Sequence, residues 1–394
     1  MRVGIVWQSE YPWDVRIDKM VRSMIKQGYD VSILATNKFN KDEHEKYLGA
    51  DVIRLPKSSS RLKNKLINLP LFFNPYYITR IKKLIDDKNL DILIVRDLPL
   101  MLAGKYAIKL SKRKVKLVFD MAEDYPATFK VMENKSLVEK VILKNYKLAR
   151  ILEKGSINIS DMIITVVEES AERVKRINES KKVIVISNTP DESFYNDNMS
   201  IDIMNKFSNN FNIVYEGNFG KKRGLETSID ALQILNKKIN NVKVVLVGGK
   251  EEEIDYIKKY AEKIGVIDNL ICTGKVPYSD LAKYVNVADI GMVPHLKCDH
   301  TETTIPNKLF DYMCLGKPVL VSDVAPLKRI VEETNSGKVF NWSDCNDFAE
   351  KVIEIIENKE EYSKNSIKAF EEKYSWKHDE KVLIKELEEL YKNI

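Results

Sequence analysis

The sequence predicts an α/β protein made of two doubly wound domains, each a parallel sheet covered by helices. Short β-branched runs alternate with amphipathic stretches along most of the 394 residues, and parallel strands require such helical crossovers. The alternation stops once, at the polar stretch SNTPDESFYNDNMS over residues 187–200, and then starts again. With 44% hydrophobic residues, the chain is long enough to bury two cores.

The order of the predicted strands sets the domain boundaries. The first half contains RVGIVW, DVSILA, DVIRL, DILIV, KLVFDM, MIITVV and KVIVIS, and the second contains FNIVYEG, VKVVLVGG, NLICTG, DIGMVP, KPVLVSD and GKVF. We therefore expect a first domain over residues 1–190, a linker over 191–206 and a second domain over 207–373. Ligands of such sheets bind at the carboxyl ends of the strands, so we expect the two domains to face each other across a cleft. The amphipathic helix at 374–394 has no strand after it and is expected to cross back to the first domain.

Composition excludes several other classes of protein. The four cysteines are isolated and have no histidine at ligand spacing, so neither a zinc site nor a disulfide framework is indicated. The N-terminus has no signal-peptide pattern, and no run approaches the roughly 20 apolar residues of a membrane span. We expect a cytoplasmic protein, either soluble or peripheral on the inner face of the plasma membrane.

The first half of the chain is strongly basic. Its net charge is +11 over residues 1–195, whereas the remainder carries −5. Eight basic residues and no acidic one lie in the region 54–83, namely Arg54, Lys57, Arg61, Lys63, Lys65, Arg80, Lys82 and Lys83, and six more follow at Lys105, Lys109, Lys112, Arg113, Lys114 and Lys116. The region 54–83 is also expected to rest on an anionic membrane surface, with its cations at headgroup level and its aromatic side chains inserted into the interface, namely Phe72, Phe73, Tyr76 and Tyr77. A solvated helix face is the alternative, and nucleic acid is not expected, because no nucleic-acid-binding motif accompanies the charge.

The stretch NFGKKRGLETSIDAL after the predicted strand FNIVYEG has the pattern of a diphosphate cradle. Gly217, Gly220 and Gly224 loosen the turn, and Lys221, Lys222 and Arg223 stand directly before a helix. Glycines let backbone amides approach an oxyanion, a helix start favours negative charge, and arginine can hold phosphate with two parallel bonds. The stretch is neither a Walker loop nor a dinucleotide fingerprint, and a solvated helix cap is the alternative.

The stretch TTIPNKLFDYMCLG after the predicted strand DIGMVP indicates a second anion site. We expect a helix over residues 306–316, opened by proline and closed by glycine, with free amides at Thr303, Thr304 and Ile305 and with Asn307 and Lys308 at its start. Asp311, expected in the second turn, can accept two hydrogen bonds from a ribose diol. An exposed helix carboxylate is the alternative for Asp311.

These stretches, together with VVLVGG, TGKVPYSDLAKYVNVADIGMVP and SGKVF, resemble the donor domain of retaining glycosyltransferases of family four, which have the GT-B fold. The resemblance extends over nearly the whole chain. It implies that Arg223 binds phosphate, that Asp311 binds the ribose, and that Val247, Gly248 and Gly249 lie beside the nucleotide. It further implies that Lys275, Val276 and Pro277 hold the base.

The resemblance implies transfer of a sugar from a nucleotide diphosphate donor, UDP- or GDP-linked, to a hydroxyl of a lipid-linked or oligosaccharide acceptor in surface polysaccharide synthesis. Arg223 and Lys222 are the predicted catalytic cations, Glu123 is the predicted acid near the reacting sugar, and neither a metal nor another cofactor is expected.

Three positions depart from the family pattern. Thr303 replaces the first acid of the family's paired-glutamate motif, Asn218 replaces an arginine, and Ala122 replaces a histidine. His295 ends a strand facing the expected cleft, although a structural role is favoured for it. A nucleotide-sugar epimerase, or a GT-B protein that binds or scaffolds without turnover, therefore remains as an alternative.

Overall fold

The computed structural model describes residues 1–12, 14–56, 72–131, 145–191 and 200–394. The chain divides into two compact units. Unit 1 contains Met1–Ser187 and Asp379–Ile394, and unit 2 contains Asn188–His378.

Unit 1 is built on an eight-stranded sheet in the order β3-β4-β2-β1-β5-β6-β7-β8. Its strands are β1 (Arg2–Glu10), β2 (Asp30–Thr36), β3 (His44–Tyr47), β4 (Ala50–Arg54), β5 (Ile92–Arg96), β6 (Lys116–Met121), β7 (Met162–Thr165) and β8 (Val183–Val185). All neighbours pair in parallel except the edge strand β3, which is antiparallel to β4. The sequence did not predict β3, because the run HEKY is polar and half-exposed.

The helices of unit 1 cover this sheet. They are α1 (Val15–Lys26), α2 (Pro75–Lys88), α3 (Met101–Leu110), α4 (Tyr125–Val131), α5 (Tyr146–Ile159) and α6 (Glu168–Ile177). Asp14 caps α1 by accepting a hydrogen bond from the Ile17 amide at 3.0 Å. Phe72 and Tyr77 are buried in the core, so the expectation that both insert into a membrane was wrong, whereas Phe73 is exposed.

Unit 2 is built on a six-stranded sheet in the order β11-β10-β9-β12-β13-β14, with every neighbour parallel. Its strands are β9 (Phe211–Gly217), β10 (Val242–Gly248), β11 (Leu270–Gly274), β12 (Ile290–Val293), β13 (Val319–Ser322) and β14 (Gly337–Phe340). Its helices are α7 (Ile201–Phe207), α8 (Leu225–Leu235), α9 (Glu251–Lys263), α10 (Tyr278–Asn286), α11 (Lys308–Cys314), α12 (Ala325–Thr334), α13 (Cys345–Glu357) and α14 (Lys359–Glu372). Helix α7 lies in the predicted linker except for its last residue, Phe207, which belongs to the same buried cluster as Val214 and Val245 of the sheet.

The terminal helix α15 (Trp376–Lys392) brings the chain back to unit 1, to which it belongs from Asp379 onward. Its Glu388 accepts a hydrogen bond from the Tyr29 hydroxyl at 3.1 Å, and its Glu386 forms an ion pair with Lys182 at 2.6 Å. Two sheets covered by helices, parallel throughout except at the edge strand β3, confirm the predicted fold class. Among the helices of the described residues, none is long and apolar enough to cross a membrane.

Each sheet reverses its strand order beside one central strand. In unit 1 the reversal lies between β1 and β5, and in unit 2 it lies between β9 and β12. A crevice opens at such a point because the two following connections run to opposite faces of the sheet, and ligands of doubly wound folds bind there. The carboxyl ends of these four strands are therefore the positions at which a ligand is expected.

Candidate functional site

The site of unit 2 lies where β9 and β12 end. The loop after β9 contains a short 3-10 turn, Lys221–Arg223, that leads into α8. Two glycines allow the backbones of neighbouring loops to approach each other closely at this point. A Cβ at Gly248 would lie 2.3 Å from the Gly217 carbonyl oxygen, and one at Gly224 would lie 2.1 Å from that of Pro294. Both glycines also have positive φ, at 113° and 64°, so a side chain is disfavoured by backbone conformation and by space.

Arg223 is held at this point by two side chains. Its Nε donates to Asn218 Oδ1 at 3.0 Å, and its Nη1 lies 3.1 Å from His295 Nε2. Because a guanidinium can only donate, His295 Nε2 must accept and the ring proton must sit on Nδ1. Burial, followed by the nearby charges of Lys308 and Arg223, lowers the pKa of His295 well below its ordinary value. The neutral ring that this bond requires is therefore the stable form.

Lys308 and two carboxyl groups are buried beside Arg223. Lys308, Glu216 and Asp311 are 9%, 5% and 7% exposed. The Lys308 ammonium lies 4.7 Å from the centre of the Tyr215 ring, and a Cβ built on Gly217 would lie 3.4 Å from its Nζ. Lys308 therefore reaches from the first residue of α11 to the end of β9.

The buried charges do not cancel. Burial, followed by the charge of Asp311, raises the pKa of Glu216 well above its ordinary value, and the two carboxyl groups share a hydrogen bond. One proton held between two adjacent carboxyl groups leaves a single negative charge. Burial, followed by the charge of Arg223, lowers the pKa of Lys308 to about 8, so it is still largely protonated at neutral pH. Two cations against one anion give the site a net positive charge, which suits an anionic ligand.

The structure brings together eight of the residues predicted for the nucleotide site. They are Gly217, Asn218, Arg223, Gly224, Gly248, Gly249, Lys308 and Asp311, which surround the ends of β9 and β10 and the start of α11. Gly220 and Lys222 shape the same loop through their carbonyl groups, which accept from the amides of Arg223 at 2.8 Å and Leu296 at 3.0 Å. Lys275, Val276 and Pro277 follow β11 at the edge of the sheet, where Val276 packs against the cluster that contains Val247.

The predicted helix over 306–316 was too long. Helix α11 covers only Lys308–Cys314, so Asp311 lies in its first turn rather than its second. Residues Thr301–Thr303 form a 3-10 turn and Thr304 is extended, so the amides of Thr303, Thr304 and Ile305 do not belong to a helix start.

The polar groups before α11 make hydrogen bonds within unit 2. The hydroxyl groups of Thr303 and Thr304 donate to carbonyl groups of their own turn, at 3.2 Å and 2.9 Å. The carbonyl of Asn307 accepts from the amide of Asp311 at 3.1 Å. Glu302, one position from the missing family acid, accepts instead from the amide of Ala325 at the start of α12, at 3.1 Å.

Sequence reasoning missed Glu216 and Tyr215 and favoured a structural role for His295. All three lie within or just after predicted strands, where the surrounding apolar residues indicate a structural role. A charged residue inside the run FNIVYEG was the available signal, because a carboxyl group in a central buried strand needs a partner. His295 is 2% exposed and contacts Arg223, so the structure gives it a defined part in the site.

Both halves of the chain match known protein families. Residues 199–372 match the family described as glycosyl transferases group 1, and residues 14–194 match the one described as glycosyltransferase family 4. The two matches together span most of the chain, which belongs to the group 1 glycosyltransferases.

Two uncharacterized glycosyltransferases of Methanocaldococcus jannaschii are similar to the chain. One is 23% identical over 282 residues, which are 71% of this chain and 60% of the relative, and the other is 23% identical over 243 residues, 60% of this chain and 62% of the relative. The chain thus spans less than two thirds of the length of the curated relatives it matches.

Solved structures show that the fold is the GT-B fold of glycosyltransferases. Sucrose-phosphate synthase from Thermosynechococcus elongatus is 14% identical, with all of both chains covered and a TM-score of 0.80. HepE of Anabaena in complex with UDP is also 14% identical, with 99% of this chain and 100% of that chain covered and a TM-score of 0.70.

Among the described residues, no group of three or more histidine, cysteine, aspartate or glutamate side chains is placed to hold a metal ion.

Proposed function

We propose that this protein transfers a sugar from a nucleotide diphosphate donor to a hydroxyl group of a lipid-linked or polysaccharide acceptor, with retention of the anomeric configuration. The observation that carries the proposal is the cluster of the half-buried Arg223 with the buried Lys308 and His295 at the strand reversal of unit 2. Family membership and the UDP bound to HepE support a nucleotide donor, for which we expect UDP or GDP.

The chemistry follows from where charge develops during transfer. As the bond from the sugar to the diphosphate breaks, negative charge grows on the leaving phosphate, and fixed cations lower the barrier because they need not reorganise. Arg223, locked by Asn218 and His295, is such a cation, and Lys308 supplies a second. One donor of this kind is worth about 10²–10³ in kcat. Lys222 borders the same loop, and Asp311 is the proposed ribose contact.

No protein nucleophile is assigned. We propose that the departing phosphate removes the acceptor proton on the same face of the sugar, and that neither a metal ion nor another cofactor takes part. Glu123, in unit 1 directly after β6, is retained as the proposed acid near the reacting sugar. Its Oε2 accepts from the Thr128 hydroxyl at 3.4 Å.

We also propose that unit 1 rests on an anionic membrane surface, with α3 as the contact. Lys57, Arg61, Lys63 and Lys65 of the region 54–83 lie outside the described residues. Four cations of this region are described. Arg54 is buried against Glu45, and the Arg80 guanidinium lies 5.1 Å from the centre of the Tyr76 ring. Lys82 and Lys83 pair with Asp86 and Asp87 at 2.5 and 2.7 Å.

Helix α3 and the residue after its cap present three exposed lysines. We define the α3 surface as Lys105, Tyr106, Lys109, Leu110 and Lys112, all of which are exposed. Tyr106 and Leu110 are 44% and 58% exposed and stand among the lysines. Apolar side chains interleaved with cations fit a bilayer interface.

The deciding experiment is calorimetry of UDP, GDP and ADP and their common sugar conjugates with the wild-type protein, Arg223→Ala and Asp311→Asn. One nucleotide should bind the wild type, and both substitutions should weaken it at least tenfold. Lys237→Ala, which removes a cation from an exposed turn after α8, should bind as the wild type does. Binding of no nucleotide would overturn the proposal and favour a scaffold without turnover.

Turnover is tested separately with the nucleotide sugar that binds. Transfer to an oligosaccharide or lipid-linked acceptor, with the product anomer assigned by NMR, should show retention. An inverted product would contradict the stereochemical part of the proposal, and release of an epimerised sugar would identify an epimerase.

A further inference from the structure

The carboxyl groups of Glu216 and Asp311 are brought together by the way α11 packs on the sheet of unit 2. The Tyr312 hydroxyl donates to the Val214 carbonyl of β9 at 3.1 Å. The Tyr312 ring lies directly on Gly291 of β12, where a Cβ would be only 2.2 Å from Cγ of the ring. Asp311 precedes the tyrosine in α11, and Glu216 follows Val214 by two residues in β9. This packing therefore holds the two carboxyl groups side by side, and they share a hydrogen bond.

The hydrogen bond between these carboxyl groups requires a proton. An ionised carboxylate can only accept, so one of the two groups must be protonated in order to donate. Burial, followed by the charge of Asp311, raises the pKa of Glu216 well above its ordinary value, which places the proton on Glu216. Asp311 is then the ionised partner, and Lys308, three residues before it in α11, is the cation whose charge acts with both.

Both carboxyl groups are costly where they stand. Glu216 is 5% exposed in a central strand, and Asp311 is 7% exposed on the helix that covers it. Apolar side chains at these two positions would avoid the cost of burying a polar group. Buried titratable groups with a specific charged partner are concentrated at functional sites, and this pair lies beside the cations Arg223 and Lys308. The pair is therefore best explained by a task in ligand binding.

The hydrogen bond from Glu216 can fix the orientation of the Asp311 carboxylate. Rotation of an aspartate carboxyl group about χ2 is broad, so a bond to one of its oxygens is needed to select an orientation. The Lys308 ammonium is a compact point charge with rotatable donors, and it sets that orientation less well. A carboxylate has about four acceptor sites, of which the Glu216 hydrogen takes one. The sites that remain can accept from two neighbouring hydroxyl groups.

We propose that Glu216 is a positioning residue of the donor site, which donates its hydrogen to Asp311 and thereby aims the Asp311 carboxylate at the ribose diol of the nucleotide. The consequence is selectivity, because a site built to accept from a hydroxyl group rejects an analogue that lacks it. The inference rests on the proposed function, in which Asp311 is the ribose contact, and it names the residue that orients this contact.

The test compares UDP with 2′-deoxy-UDP, and GDP with 2′-deoxy-GDP, by calorimetry. We expect the wild type to bind the ribose form of its nucleotide at least about tenfold more tightly than the deoxy form. Glu216→Leu removes the donor and should bring the two affinities close together. Glu216→Gln, whose amide can donate to Asp311, should keep most of the preference. Glu262→Leu, on the exposed face of α9, is the control and should show the wild-type preference.

The preference for ribose separates positioning from a structural role. A glutamate that serves only the fold would, when replaced, lower the affinities for both forms equally and leave their ratio unchanged. In the Asp311→Asn background, Glu216→Leu should cause no further loss of the preference, because Glu216 acts through Asp311. A further loss in that background would show that Glu216 contacts the ribose itself and would overturn the positioning role.

A second pair of variants decides the matter if Glu216→Leu has no cooperative thermal unfolding. Glu216→Asp keeps a carboxyl donor, but its side chain is shorter by a methylene group and ends farther from Asp311. We therefore expect Glu216→Asp to lower the ribose preference, whereas Glu216→Gln keeps it. Equal preferences in these two variants would overturn the inference.

The outcomes also distinguish this inference from the proposed function. A wild type that binds a nucleotide without preferring ribose, or a Glu216→Leu variant that keeps the preference, overturns the role of Glu216 and leaves the donor site standing. Failure of every nucleotide to bind the wild type overturns the proposed function, and the inference falls with it.

Discussion

Arg223 Nη1 lies 3.1 Å from His295 Nε2, and this contact joins the loop after β9 to the end of β12. The two residues stand on opposite sides of the strand reversal of unit 2, so the contact bridges the crevice in which a ligand of such a sheet binds. The neutral histidine positions the arginine by accepting from it, while the remaining donors of the guanidinium are left for an anion.

Replacing His295 should therefore weaken nucleotide binding without removing a cation. In His295→Leu the partly buried Nη1 donor of Arg223 loses its acceptor, and a hydrogen bond to a charged group is worth about 1.5–3 kcal/mol. We expect the Kd for UDP or GDP, whichever binds, to rise about tenfold or more in calorimetry. His295→Gln, whose side-chain oxygen can accept, should recover most of the affinity, and equal losses in the two variants would contradict the positioning role.

Lys308 should make nucleotide binding depend on pH. Its pKa is lowered to about 8, and a bound diphosphate stabilises the protonated form, so binding above pH 8 takes up a proton. Affinity should then fall by up to tenfold per pH unit between pH 8 and 10. Lys308→Met should bind weakly and show no such slope in calorimetry across this range. A slope retained in the variant would assign the proton to another group.

Much of the fold could be predicted, because buried parallel strands leave clear apolar runs. The runs KLVFDM, FNIVYEG and GKVF coincide with β6, β9 and β14. Strand β3 could not be predicted, since an edge strand exposed on one face needs no apolar residues. The early end predicted for β1 has a similar reason, because its last residues are only half-buried.

The sequence predicted the site residues that are neighbours along the chain and missed those that meet only in the folded protein. The turn that carries Arg223 has its glycines and cations side by side in sequence. Glu216 meets Lys308 and Asp311 only through the pairing of distant elements, which spacing does not show. The start of α11 was misplaced because Pro306 suits the first turn of a helix, whereas here it precedes the helix.

Glu216 should lower the stability of the protein as pH rises. Its pKa is raised well above 4.5 by burial and by Asp311, so above pH 4.5 the folded state binds more protons than the unfolded state. The free energy of unfolding must then fall with increasing pH until Glu216 ionises in the folded state. Glu216→Gln should make this fall shallower than in the wild type, measured by urea unfolding from pH 5 to 8. Glu262→Gln, on the exposed face of α9, should keep the wild-type slope.

Gly224 should tolerate alanine much less well than a glycine of similar φ elsewhere. At Gly265, where φ is 76° and no atom lies within 4 Å of a Cβ, alanine adds only backbone strain of about 1 kcal/mol. At Gly224 the Cβ would also overlap the Pro294 carbonyl, so we expect Gly224→Ala to cost about 3 kcal/mol or more in urea unfolding. Nucleotide binding should be lost in Gly224→Ala and retained in Gly265→Ala. Similar costs for the two variants would show that the loops of unit 2 are not closely packed there.

The α3 surface should hold unit 1 on anionic lipid. Each lysine near such a surface contributes about 1 kcal/mol, so changing Lys105, Lys109 and Lys112 together to glutamine should reduce the bound fraction strongly in sedimentation with vesicles of phosphatidylglycerol and phosphatidylcholine. Binding of the wild type should fall with added salt and be absent with phosphatidylcholine alone. The matched control changes Lys82 and Lys83 to glutamine, because these two lysines pair with Asp86 and Asp87. Equal losses in the two variants would indicate that net charge, rather than the α3 surface, determines the attachment.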